Sequence, residues 1–250
     1  SKLKKAVSSE QCRKSSVFTH YLGFVFDLGM VYVNHKLRKK EVLEKEIKFV
    51  KDLGEKLNIQ TFITEIDLGK AKSNIESKVR KLRYEQLCKV ATENNYNKIV
   101  TGHTLNDNAE TVLLNIVRSS NREGIIGIPL VRADIGANSD KRISIIRPLL
   151  EIERTEILEF LKTNRIKFCI DTTNKDISYS RNFIRLKILP LLEKLNPSIL
   201  KHLSDLALSS YQKQLYIEDV MRKALKKIIL KRSTLRKTQL QLDLIEFFKY

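Results

Sequence analysis

The chain has 250 residues, 42% hydrophobic and 30% charged, with 8 Gly and 4 Pro, a globular composition that can bury a core and excludes fibrous and low-complexity classes. Lysine and arginine outnumber aspartate and glutamate 47 to 29, and the net charge of +18 predicts a polyanionic partner, nucleic acid first. Cys12, Cys88 and Cys169 are odd in number and far apart, so neither a disulfide framework nor a zinc site is readable and a reducing compartment fits. The most apolar stretch, Val17 to Val33, is broken by His20 and Asp27 and falls short of the ~20 residues of a membrane helix. No signal peptide is expected ahead of it. The first residue is Ser1 rather than Met and the last four are Phe247-Phe248-Lys249-Tyr250, so both ends are expected to have been cut.

Met30 to Val33 reads as a buried parallel strand, and Glu41 to Leu57 as an amphipathic helix with apolar positions Val42, Leu43, Ile47, Val50 and Leu53. Thr61 to Thr64 is the next strand. Ser73 and Glu76 form the pattern of a capping box, opening a helix whose stripe runs Ile75, Val79, Leu82, Leu87, Val90 and Ala91. Lys98 to Thr101 is a third strand, followed by a helix over Asn106 to Arg118. After a looser, glycine-bearing stretch, Ile143 to Ile146 reads as a strand and Arg154 to Lys162 as a helix. This alternation predicts an α/β fold with a doubly wound parallel sheet, whose ligands sit beyond the carboxyl ends of the strands. From Ser180 onward the pattern is helical throughout, punctuated by Pro190 and Pro197, so a new helical unit is expected to open near Leu191 or Ser198. The expected division is an α/β domain over 1–190 and a smaller all-helical region over 191–250, incomplete at its end.

The segment richest in chemistry is Thr101-Gly102-His103-Thr104-Leu105-Asn106-Asp107-Asn108-Ala109-Glu110-Thr111. Asp107 and Glu110 are three apart, hence on one face of the first helical turn. Carboxylates there complement the helix dipole in any helix; with His103 at a strand's carboxyl end, they also offer a site for an amino group. Arg80 and Arg83 flank the stripe of the preceding helix, where a solvated edge covering the core with aliphatic stems is the plain reading. Arg181 and Arg185 share a helical face behind Asp171-Thr172-Thr173-Asn174, and arginine forks suit phosphate oxygens.

In this order the pieces resemble one family, the tRNA(Ile)-lysidine synthetases, within the PP-loop (N-type) ATP pyrophosphatases. The matching segments are Val33-Asn34-His35-Lys36-Leu37-Arg38, Leu82-Arg83-Tyr84, Thr101-Gly102-His103 through Asp107 and Glu110-Thr111, Ile146-Arg147-Pro148-Leu149-Leu150, Asp171 to Asn174, and Arg181-Asn182 with Ile184-Arg185, followed by Leu189-Pro190-Leu191-Leu192. The resemblance spans about Val31 to Pro197. It implies a Rossmann-like PP-loop domain followed by a tRNA-binding helical region. It further implies an ATP- and Mg²⁺-dependent ligase that adenylates the wobble cytidine of a CAU-anticodon isoleucine tRNA, then displaces AMP with free L-lysine. By position Asp107 and Glu110 would hold the lysine, and Arg83 and Arg185 would face phosphate or the charge developing on the base. His35 and His103 would line the nucleotide crevice, and Arg181, Lys226, Lys227, Lys231 and Arg232 would meet tRNA. The expected setting is the cytoplasm, or the plastid stroma for an organelle-encoded chain, with no membrane partner and with a homodimer allowed.

One departure stands out. Where the family carries S-G-G-x-D-S after its first strand, this chain has Ala6 to Phe18, with neither glycine and no aspartate before Asp27. Side chains at those positions block close approach of backbone N–H groups to phosphate. Three explanations stay open: a damaged N-terminal sequence, a catalytically inactive tRNA-binding paralogue, or a diverged loop that binds ATP through Ser8, Ser9, Lys14, Ser15 and Ser16. Phe183 stands where the family often has another arginine. A tRNA-thiolating cousin, which would need paired cysteines, fits less well.

Overall fold

The computed structural model describes residues 18–21, 24–36, 40–67, 75–118, 125–132, 143–169, 179–232 and 240–242. The chain forms two compact units, Ser1–Thr101 with Val131–Ile146, and Gly102–Leu130 with Arg147–Tyr250.

In the first unit β1 (Phe18–Tyr21) and β2 (Phe24–Asp27) pair antiparallel, within the part of the apolar stretch ahead of Met30 for which the sequence gives no element. β3 (Gly29–Asn34) then pairs in parallel with β4 (Gln60–Glu65) across α1 (Lys40–Leu57), as a β-α-β unit requires. α1 runs close over β4: a Cβ on buried Gly54 would collide with the Thr61 hydroxyl. Val42, placed on the apolar stripe by its spacing, is exposed. α2 (Ile75–Glu93) leads to β5 (Lys98–Val100), which pairs in parallel with β7 (Ser144–Ile146); the short β6 (Val131–Arg132), absent from the sequence reading, joins β7 antiparallel. The core of this unit gathers Cys88 and Ala91 of α2, Ile99 of β5, and Ile143 and Ile145. The Ser73–Glu76 capping box lies outside the described residues.

Three left-handed residues terminate helices. Asn58 (φ 53°) ends α1, Asn95 (φ 61°) ends α2, and Arg165 (φ 53°) ends α4 (Arg154–Thr163). In each, the next N–H turns back onto the helix: Ile59 to Gly54 O, Tyr96 to Ala91 O, Ile166 to Leu161 O, at 2.8 to 2.9 Å. Asparagine adopts this conformation more readily than other non-glycine residues.

The second unit is built on α3 (Leu105–Arg118) and α7 (Ile199–Ile228), whose facing residues Leu105, Ala109, Val112, Leu200, Leu203 and Ala207 are all buried. Ile184 and Leu189 complete this core. They come from a continuous helical run in which α5 (Ser180–Phe183) passes through a π turn (Ile184–Ile188) into α6 (Leu189–Leu195). Pro190 explains the widened turn. It has no N–H for the carbonyl four residues back, and its ring crowds that carbonyl; the Leu189 N–H instead reaches five residues back to Ile184. Leu191 therefore lies inside a helix, and the break falls at Asn196, just before α7. The expectation of helix throughout this region fails beyond Ile228, where β8 (Ile229–Arg232) pairs antiparallel with β9 (Leu240–Leu242). Ile229 continues a helical apolar pattern, and only the distant partner strand turns the backbone to β.

Candidate active site

α3 begins with a reciprocal cap. The Thr104 hydroxyl accepts from the Asp107 N–H at 3.4 Å, while Asp107 Oδ2 accepts from the Thr104 N–H and from its hydroxyl, both at 2.9 Å. This is a capping box with aspartate in the acidic position; it bears out the helix-start role that the sequence allows Asp107, and its Thr-x-x-Asp spacing is legible there. It fixes the Asp107 carboxylate at the helix N-terminus and leaves Oδ1 turned away from the cap. Asn106 adds a neighbouring tie, its Oδ1 accepting from the Arg154 N–H of α4 at 2.9 Å.

One turn further on, Glu110 is fully buried, which for a carboxylate demands paired and hydrogen-bonded partners. Two arginines supply them. Arg185 donates from Nε to Glu110 Oε1 at 2.6 Å and from Nη2 to Oε2 at 2.9 Å, the bidentate fork that guanidinium geometry favours. Arg181 donates from Nε to Glu110 Oε2 at 3.0 Å. Its Nη2 reaches the Thr111 hydroxyl at 2.9 Å and the Asp107 carbonyl at 3.3 Å. Arg185 Nη2 also lies 3.5 Å from Asp107 Oδ1. Two carboxylates thus face two guanidiniums. The hydrogen bond to Glu110 holds the Arg185 guanidinium above its ordinary pKa, against the opposing effect of burial.

The structure therefore brings Asp107, Glu110, Arg181 and Arg185 into one cluster, four residues from segments some seventy positions apart. Both Glu110 oxygens are taken by guanidinium N–H groups, whereas Asp107 keeps a quarter of its side chain accessible. Asn108, between them, is buried and ties α3 to its surroundings: its Oδ1 accepts from the Ile128 N–H at 2.7 Å and its Nδ2 donates to the Ser204 hydroxyl of α7 at 3.0 Å. Arg147 of the Ile-Arg-Pro-Leu-Leu segment is buried and grips the Pro129 carbonyl at 2.5 Å, a packing role.

The other unit holds a second pair at the carboxyl ends of β3 and β4. Arg83 Nη2 lies 3.1 Å from His35 Nε2. Arginine can only donate, so Nε2 is the acceptor of this bond. Burial pushes the Arg83 guanidinium below its ordinary pKa, and the like charge of Arg80 acts in the same direction. The turn beyond β3 is shaped around buried Asn34, whose Oδ1 accepts from the Lys36 N–H at 2.9 Å and whose Nδ2 donates to Glu65 Oε1 at 3.4 Å. Lys36 adopts φ 55° and pairs with Glu65 at 2.6 Å. A cavity of about 580 Å³ in this unit, bordered by Asp27, Gly54 and Gln60, lies at the opposite, amino ends of these strands.

His103 is half-buried at the turn into α3, and Lys226 is exposed near the end of α7. Ser8, Ser9, Ser15 and Ser16, the Asp171 to Asn174 segment, and the side chains of Lys227, Lys231 and Arg232 lie outside the described residues. Among the described residues no three His, Cys, Asp or Glu side chains converge to hold a metal ion, and no helix is long and apolar enough to cross a membrane.

Parallel strand pairs joined through helices, with charged side chains at strand ends and at the entry to a helix, define a Rossmann-like α/β protein of the nucleotide-binding kind. The chain belongs to the PP-loop domain family, whose pattern matches residues 9–192. It is 40% identical over 178 residues to the tRNA(Ile)-lysidine synthase of Thermosipho africanus, an alignment covering 70% of this chain and 39% of that protein. The tRNA(Ile)-lysidine synthase of Clostridium perfringens is 35% identical over 205 residues, 80% of this chain and 42% of that protein. That of Chlorobaculum tepidum is 36% identical over 181 residues, covering 69% and 51%. The chain thus spans about half the length, or less, of these relatives. Among solved structures, the U34-tRNA thiolase NcsA from Methanococcus maripaludis with its 4Fe-4S cluster matches with a TM-score of 0.55 over 74% of this chain and 61% of that one. At 19% identity this likeness shows the shared fold alone.

Proposed function

We propose that this chain carries the catalytic part of a ligase that joins lysine to the wobble cytidine of a CAU-anticodon isoleucine tRNA through an adenylated intermediate. The observation that carries the reading is the charge-balanced cluster on the first turns of α3, which sets a partly accessible Asp107 beside the locked guanidinium of Arg185. The names of the relatives support tRNA modification; the assignment of lysine and cytidine rests on the motifs.

In this reading the cytosine O2 attacks the α-phosphorus of ATP and pyrophosphate leaves. The lysine ε-amino group then attacks C2, and the C2–O bond breaks to release AMP. Asp107, through Oδ1, pairs with the incoming amine and takes up its proton, while Arg185 faces the charge that develops beside it. His35 and Arg83, at the carboxyl ends of the first unit's strands, contact the nucleotide. Mg²⁺, when bound with ATP, would neutralise the departing pyrophosphate. The cytoplasm, or a plastid stroma, is the compartment that fits.

The test is AMP release from ATP by the purified chain, with and without lysine and the isoleucine tRNA. Release that needs both supports the ligase and shows that the glycine-free segment Ala6 to Phe18 still serves ATP. No release, with salt-sensitive tRNA binding retained, would replace the ligase by an inactive paralogue.

A further inference from the structure

Resting on the reading above, we infer that Glu110 is a positioning residue and that Arg181, which it locks, presents a binding edge for a phosphate oxygen. Arg181 uses Nε and Nη2 for its bonds to Glu110, Thr111 and the Asp107 carbonyl. Three bonds on one side of a planar fork fix the orientation of the whole guanidinium. Its remaining nitrogen, Nη1, has no hydrogen-bond partner among the described residues, and a quarter of the side chain is accessible. A guanidinium so held gives two N–H donors at a defined place without the rotamer entropy that a free arginine loses on binding.

Glu110 cannot serve as a substrate's own ligand in this arrangement. It is fully buried, and its two oxygens already accept three guanidinium hydrogen bonds. Its contribution passes through the arginines, so its loss should copy the loss of their function. A phosphate oxygen at Arg181 Nη1 could come from ATP or from the RNA backbone. The chemistry at the edge is the same for both, and the two are separable by titration.

Arg181→Gln is compared with wild type for ATP affinity, read by thermal shift, and for binding of the CAU-anticodon isoleucine tRNA across a salt series. An ATP phosphate predicts a rise in ATP Kd of about tenfold or more, the scale of one charged hydrogen bond, with the tRNA salt dependence unmoved. An RNA phosphate predicts an unchanged ATP Kd and a tRNA salt slope shallower by about one. Either outcome supports the edge; wild-type affinity and slope in both assays overturn it. Arg181→Lys keeps the charge but cannot hold the fork, so full rescue by lysine would also overturn it.

Glu110→Gln should reproduce the Arg181→Gln defect. Should that variant fail to fold, Thr111→Val removes a single lock and should weaken the same affinity by a smaller factor. A rise in the lysine KM of Glu110→Gln with phosphate affinity intact would refute the positioning role. A wild-type chain that binds neither ATP nor tRNA would overturn the ligase reading and this inference together.

Discussion

Gly127 offers a sharp test of how α3 is held. Its φ is +56°, and a Cβ there would run into Asn108 Oδ1 and lie 3.0 Å from both Ala207 and Val112. Gly127→Ala therefore combines a left-handed alanine, about 1 kcal/mol, with crowding of a filled core, about 1–3 kcal/mol, for a loss of about 2–4 kcal/mol. Asn108→Ala orphans the buried Ile128 N–H and removes the partner of Ser204. A buried donor left unsatisfied is worth about 1–3 kcal/mol, so the expected loss is again about 2–4 kcal/mol. The two effects share one atom. Removing Asn108 Oδ1 relieves the worst contact of the new methyl group, so the double variant should be destabilised by less than the sum of the singles, by about 1 kcal/mol or more. Urea unfolding of the full chain, fitted for midpoint and slope, measures all four corners of the cycle. Additivity to within about 0.5 kcal/mol, the usual result for independent sites, would refute the claim that a side chain at Gly127 meets Asn108 Oδ1.

Two further expectations follow from the first unit. Hydrogen bonding and attraction to Lys36 hold the Glu65 carboxyl below its ordinary 4.5, and the same pair raises Lys36 above its ordinary 10.5. The pair therefore stabilises most between those values, its contribution fading as acid protonates Glu65 or as base discharges Lys36. The difference in melting temperature between wild type and Glu65→Gln should shrink on both sides of that window; a difference independent of pH would sink the argument. Among the thiols, burial pushes Cys88 above its ordinary pKa whereas Cys169 is exposed. With Cys12 replaced by Ser, a thiol reagent should modify Cys169 at once and Cys88 only as fast as the protein opens. Equal rates would show that the α2 core is not closed.

Sequence alone determined the order of the elements from β3 to α3 and the family. Apolar spacing placed β3, α1, β4, α2, β5 and α3 nearly where they lie, because each segment's hydrophobic period is a local property that its packing then uses. The motifs from Val33 to Arg185 pointed to the PP-loop family without any knowledge of contacts. The pairing of Asp107 with Glu110 on one helical face was also legible, three residues being most of a turn. Tertiary structure decided what those faces meet. That the shared face of Arg181 and Arg185 lands on Glu110 depends on the packing of Ile184 and Leu189 against α3. β8 and β9 read as helix, since strand pairing between Ile229 and Leu242 is a long-range contact with no local signature. The burial of Glu110 was invisible for the same reason. A glutamate near a helix start reads as a solvated charge until two arginines from a distant segment arrive to make its burial affordable.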